Sequence, residues 1–179
     1  MNKVALVGWG ETKNLAPFYD NNFEIWGLND LYEVIPKYDR WFEIHKRCYI
    51  DNAFTRTNGK PYIEGLKSLN CPIYMQDKYK DITCSIPYPL QRMIDRFGLY
   101  FTSTMAYMFA LAIDEGFKEI HLYGIHCETK EEYTEQRACI ERLVGYAEGL
   151  GIKVYIPNES PLLKHWYLYG YEDNILQSI

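Results

Sequence analysis

The chain has no Cys-x-x-Cys pair, no apolar run of membrane-spanning length, no excess of basic charge, no internal repeat and no low-complexity linker. Each absence removes a class of protein. The five cysteines, at 48, 71, 84, 127 and 139, are odd in number and unpaired by spacing, which points to reduced thiols in a cytoplasmic protein. His126 and Cys127 adjoin, but a second pair of zinc ligands is not in sight, so no metal site is expected. No stretch approaches the roughly 20 apolar residues of a membrane span. The opening MNKVALVG breaks into glycine too early for a secretory leader. A net charge of −5 argues against a broad nucleic-acid surface, because duplex binding depends on Lys and Arg neutralising phosphates. One nucleotide in a pocket stays compatible with it. What is there is a chain of 179 residues, 47% hydrophobic, with 17 tyrosines. That is one domain's worth, and it buries roughly 70% of its extended surface without help from a metal or disulfide.

Short, branched, nearly continuous apolar runs punctuate the chain, the pattern of strands buried on both faces. They are Lys3–Gly8 (KVALVG), Phe23–Leu28 (FEIWGL), Arg40–His45 (RWFEIH), Pro72–Gln76 (PIYMQ), Glu119–Ile125 (EIHLYGI) and Lys153–Ile156 (KVYI). Between them the spacing predicts helices near Leu31–Ile35, Tyr62–Leu69, Leu90–Phe97, Ser103–Glu115 and Glu131–Leu150, with Cys48–Lys60 and Lys78–Pro89 irregular. From Met105 to Ile113 every residue is apolar, so that helix is expected to lie against the sheet and be covered by other elements. The alternation predicts an α/β fold: a single Rossmann-like domain with a mainly parallel sheet of about six strands and helices on both faces.

In such sheets ligands bind beyond the carboxyl ends of the strands. The first strand ends in Gly8-x-Gly10, where glycines permit a sharp turn and let a phosphate approach backbone amides, with Thr12 close behind. A tight strand-to-helix turn explains the same residues. Asn29 and Asp30 follow the second strand, where an acid meets ribose hydroxyls in dinucleotide folds; an Asx turn or helix cap is the alternative. Thr102, Ser103 and Thr104 open the apolar helix, as caps, as phosphate contacts, or as both. Gly124, His126 and Glu128 follow the fifth strand. Running the helical stripe Ile140, Val144, Ala147 backwards reaches Arg137, Gln136 and Tyr133, a polar extension that points into a cleft. Arg137 there suits a phosphate or carboxylate, or pairs with Glu128 or Glu132. His45, two residues after Glu43, fits a hydrogen-bonded structural histidine better than a catalyst.

The segment FTSTMAYMFALAIDEGFKEIHLYGI, residues 101–125, resembles the central segment of bacterial lipooligosaccharide sialyltransferases, which carry Thr-Ser-Gly before an apolar helix, then Gly-Tyr-Lys-Glu-Ile, a strand and Gly-Ile-Asp. IKVYIPNESPLL, residues 152–163, resembles their later strand and the Pro-Asn-Ser-Leu-Leu after it. The likeness is collinear over most of the chain. It extends to a wider group that includes archaeal hydroxymethylpterin pyrophosphokinases, and the whole chain resembles short bacteriophage proteins. The resemblance implies a sialyltransferase-like fold and a CMP-sugar donor held by Gly8, Gly10, Asn29, Thr102 and Ser103. The chain departs from the family where Gly-Ile-Asp becomes Gly124-Ile125-His126, and where the interval 127–151 holds no counterpart of the family's lid histidine.

The expectation is therefore a small glycosyltransferase-like protein that binds a nucleotide sugar and a small-molecule acceptor, in the cytoplasm, or the host cytoplasm if phage-encoded. Arg137 and Tyr133 would stabilise the departing phosphate, and His126, Glu128 or Glu132 would deprotonate the acceptor. One alternative is a protein that sequesters a nucleotide without catalysis. Another is a pyrophosphokinase-like transferase using magnesium on Asp30 and Glu128. The oligomeric state is left open, a homodimer included.

Overall fold

The computed structural model describes residues 2–127, 130, 132–165 and 168–171. The apolar runs form β1 (Lys3–Val7), β2 (Phe23–Leu28), β3 (Arg40–Phe42), β4 (Ile73–Met75), β6 (Glu119–Tyr123) and β7 (Lys153–Tyr155). A further strand, β5 (Ser85–Pro87), makes a seven-stranded sheet in the order β5-β4-β3-β2-β1-β6-β7. Every pairing is parallel. The chain steps outward from β1 to β5, returns across the sheet, and resumes at β6 on the other side of β1. Strand order reverses between β1 and β6, and there the crevice of an open α/β sheet forms.

Among the described residues five α-helices cover the sheet: α1 (Arg47–Asn52), α2 (Tyr62–Ser68), α3 (Leu90–Phe97), α4 (Thr104–Asp114) and α5 (Arg137–Gly149). The two-residue period of the strands sorts their side chains. Val4, Leu6, Trp26, Leu28 and Phe42 pack with α3, α4 and α5. Ala5, Val7, Ile25, Trp41, Ile73 and Met75 turn to the other face, where Ile50 of α1 and Tyr62 and Leu66 of α2 meet them. Helices on both faces follow from strands apolar on both faces. The all-apolar helix is α4; it packs on β1 and β2 and is flanked by α3 and α5.

Four elements differ from the sequence reading. The helix expected near Leu31–Ile35 is a single 3-10 turn, Leu31–Glu33. β5 is short and ends at an edge-strand proline, Pro87, where no ladder donor is needed. α1 lies where a loop is expected. It has no side-chain N-cap; beside the Arg47–Asp51 pair within it, at 2.7 Å, it is held by tertiary contacts: Ile50 is fully buried, and Arg47 bonds Asp81 at 2.8 and 2.7 Å. The long helix after β6 opens with a wide π-helical turn, Glu132–Gln136, before α5 begins.

Candidate functional site at the β1/β6 reversal

The loops after β1 and β6 are bonded to each other. Gly8 N donates to Tyr123 O at 2.8 Å, and Gly10 N to Gly124 O at 2.9 Å. Thr12, 3% exposed, accepts the Gly124 N–H on Oγ1 at 2.8 Å, and the same oxygen lies 3.0 Å from His126 Nε2. Gly124 has φ +66°, and a Cβ on Gly8 would sit 2.5 Å from the Gly124 carbonyl oxygen. A Cβ on Gly10 would come within 2.9 Å of the His126 ring. The amides of Gly8 and Gly10 are thus spent joining the two loops, where the sequence suggested that they receive a phosphate. Thr12 is the pin beneath them.

Above this floor opens a cavity of about 320 Å³. The β1 loop contributes Gly8 and Trp9, and the β2 loop contributes Asn29. Thr102, Ser103 and Thr104 reach it from the start of α4, and Gly124 and His126 from the end of β6. Ser103 is the N-cap of α4, its Oγ accepting from Ala106 N at 3.3 Å. The helix points its N-terminal partial positive charge at the space. Three polar side-chain atoms of the lining residues, Asn29 Oδ1, Thr102 Oγ1 and Trp9 Nε1, are buried and lack a hydrogen-bond partner among the described residues. Leaving such a group unpaired costs about 1–3 kcal/mol. Asn29 is held at φ +53°, its N–H bonded to Phe42 O at 3.1 Å and its carbonyl accepting Trp41 Nε1 at 2.8 Å.

Asp30 is elsewhere. It is 1% exposed and does not line the cavity. Its Oδ2 accepts the Arg56 backbone N–H at 2.8 Å, and its Oδ1 lies 3.5 Å from Arg56 Nε. The acid placed by sequence on a ribose thus positions Arg56, a cation in a segment that offered no local signal. The Arg56 guanidinium sits over the Trp9 ring, 4.9 Å from its centroid, on the cavity wall.

The face extrapolated backwards along α5 also divides. Gln136 and Glu132 line the cavity. Tyr133 and Arg137 line a neighbouring groove with Ser160 and Lys164. Arg137 bonds Glu141 Oε1 at 2.7 Å and Pro161 O at 3.2 Å, and stacks over Tyr133 at 5.2 Å. A π turn takes more residues per revolution than an α-helix, so the phase of the α5 stripe does not carry through Glu132–Gln136. Glu128 lies outside the described residues. Cys127 faces both spaces at φ +54°. Burial, then Glu132, pushes its thiol up to about 11, which keeps it protonated near neutrality.

His45 is on the wall too, on the far side of a buried polar chain. Its Nδ1 is 2.6 Å from Glu43 Oε1, which also accepts the His45 backbone N–H at 2.9 Å. The other carboxylate oxygen, Oε2, accepts the Tyr62 hydroxyl. Among the described residues no three His, Cys, Asp or Glu converge to hold a metal ion, and no helix is long and apolar enough to cross a membrane.

No protein-family model and no curated protein matches the chain. Solved structures do. The sheet and its reversal define the chain as an α/β protein of sialyltransferase-like fold. It is similar to the sialyltransferase CstII from Campylobacter jejuni in complex with the substrate analogue CMP-3FNeuAc, at 16% identity and TM-score 0.55, over 87% of this chain and 80% of that one. It is similar as well to the sialyltransferase CST-II in complex with a trisaccharide acceptor and CMP, at 15% identity and TM-score 0.56, over 93% and 89% of the two chains.

Proposed function

We propose that the cavity at the β1/β6 reversal binds a nucleotide sugar, and that the protein is a small nucleotide-sugar-dependent glycosyltransferase. The observation that carries this reading is the convergence of the loop ends after β1, β2 and β6 and the hydroxyl-bearing N-terminus of α4 on one cavity, with Arg56 on its wall. A ligand with an anionic group and hydroxyls matches a helix N-terminus, a guanidinium and this polar lining, and a nucleotide sugar carries both. The structural neighbours crystallised with CMP and a CMP-sugar analogue support the choice. Asn29 and Thr102 would bond the base or sugar hydroxyls, and the start of α4 would receive the phosphate. His126, Glu132 and Glu128 are the candidate bases for the acceptor hydroxyl.

A second reading, binding without transfer, draws on the engagement of Arg137 with Glu141 and Pro161, which removes it from the departing phosphate. One experiment separates the two. The protein is mixed with nucleotide sugars of each base, a saccharide acceptor, and magnesium or chelator. Melting temperature and the mass spectrum of the ligand are then read together. A raised melting temperature with a consumed donor supports transfer, and a raised melting temperature with an intact donor supports sequestration. No shift with any donor refutes both.

A further inference from the structure

The chain Tyr62–Glu43–His45 has a role that the glycosyltransferase reading does not use. Glu43 is fully buried. A buried carboxylate is costly unless paired and hydrogen-bonded. Here Oε2 takes the Tyr62 hydroxyl, and Oε1 takes two contacts from His45. Burial and Glu43 push the Tyr62 phenol well above its ordinary value, so it keeps its proton and donates. The partner able to balance the Glu43 charge is the His45 ring. A carboxylate only accepts, so Nδ1 carries a proton in either state of the ring. Nε2 has no hydrogen-bond partner among the described residues, and the side chain is 39% exposed on the cavity wall.

Resting on the nucleotide reading, we infer that His45, hydrogen-bonded through Nδ1 to the buried Glu43 carboxylate, is an anion-binding group of this cavity that ligates the phosphate of the nucleotide through Nε2–H. The groups around it fit. The Glu43 hydrogen bond raises its pKa above the imidazole value, against burial and the nearby Arg56, with Asp30 adding to the rise. From α1, the Tyr49 ring lies 4.6 Å away, tilted 30° to the imidazole. Arg56 and the N-terminus of α4 lie on the wall of the same cavity, so an anion there meets two cations and a helix dipole. A phosphate at Nε2 favours the protonated ring, so binding takes up protons where the unliganded ring titrates. Glu43 and Tyr62 act through His45 and are positioning residues.

The test uses CMP-3FNeuAc and UDP-glucose, whose phosphates do not titrate near neutrality. Their affinity is measured by calorimetry from about pH 6 to about pH 8, across the range in which histidine charge changes. Wild-type affinity should fall by about tenfold or more over that range, because a charge-assisted hydrogen bond is lost. His45→Gln should bind at the lower value throughout, with a flat profile. Glu43→Gln should move the fall to lower pH. Wild-type slope and affinity in His45→Gln overturn the inference while leaving the nucleotide reading intact. Absence of binding by both probes in the wild type, with the ring still protonated near neutrality, refutes cytidine and uridine sugars as the ligand and leaves the charge on His45 standing. Nitrogen-15 spectra of the unliganded protein read the ring directly. A His45 that titrates at or below the ordinary imidazole value overturns its role as a cation whatever the ligand.

Discussion

Gly124 shows how much of the site is decided by single atoms. Its φ of +66° and the Gly8 carbonyl against it leave no room for a side chain. Gly124→Ala should lower stability by about 1–3 kcal/mol or more, read as a lower urea midpoint with an unchanged slope. Thr12→Val keeps the shape but strips the acceptor from the buried Gly124 amide, and should cost about 1–3 kcal/mol in the same measurement. His45 gives a pH signature. Its folded pKa is raised, so its contribution is complete below the ordinary imidazole value and fades as pH climbs through the folded one. Stability should therefore decline over that window, and His45→Gln should flatten the decline in denaturation curves at successive pH values. At this scale the strand ends pointed to Gly8, Asn29, Gly124 and His126, and the start of the apolar helix to Thr102, Ser103 and Thr104, all of which line one cavity. Neither pointed to Arg56, since what draws that residue in is Asp30, 26 positions away in sequence.

Among the elements, α4 was legible because its composition admits one environment. An unbroken apolar run after a hydroxyl cluster can only be a capped, enclosed helix. Ser103→Ala should cost about 1 kcal/mol through the lost cap. Phe109→Ala, at a fully buried position, should cost about 3–5 kcal/mol. Both are measurable as shifts in chemical denaturation, and the cap variant should also weaken nucleotide binding, because Ser103 lines the cavity. The segment Glu132–Gln136 was legible as helix but not in phase. Its polar residues carry no sign that the turn is wider, so the periodicity aimed Arg137 at the cavity and Gln136 beside it, whereas only Gln136 arrives. α1 was illegible because Arg47, Ile50 and Asp81 stabilise it across the tertiary structure.

For the whole molecule, fold class followed from strand composition, but strand order did not. Nothing local says that β6 returns to the flank of β1, and that return creates the crevice. A ligand that binds only the folded form stabilises it by about 2.7 kcal/mol at a hundredfold excess over Kd. For a chain of this size the melting temperature should then rise by roughly 5–10 °C with a bound nucleotide sugar. The Asn29→Ala and Thr102→Val variants should show smaller rises at equal ligand, since each removes a polar group from a residue lining the cavity.

The bond from Gly124 N to Thr12 spans 112 residues. The binding floor therefore has no precursor in either half of the polypeptide. While a ribosome is still producing the first five strands, the segment that must lie beside β1 has not emerged, and the central strand waits with one edge bare. On the nucleotide reading, ligand capture would consequently be a late event in the life of the nascent chain. A fragment ending before β6 should show neither affinity nor ligand-induced protection from proteases, and acquisition of binding during refolding should coincide with the slowest long-range step of assembly.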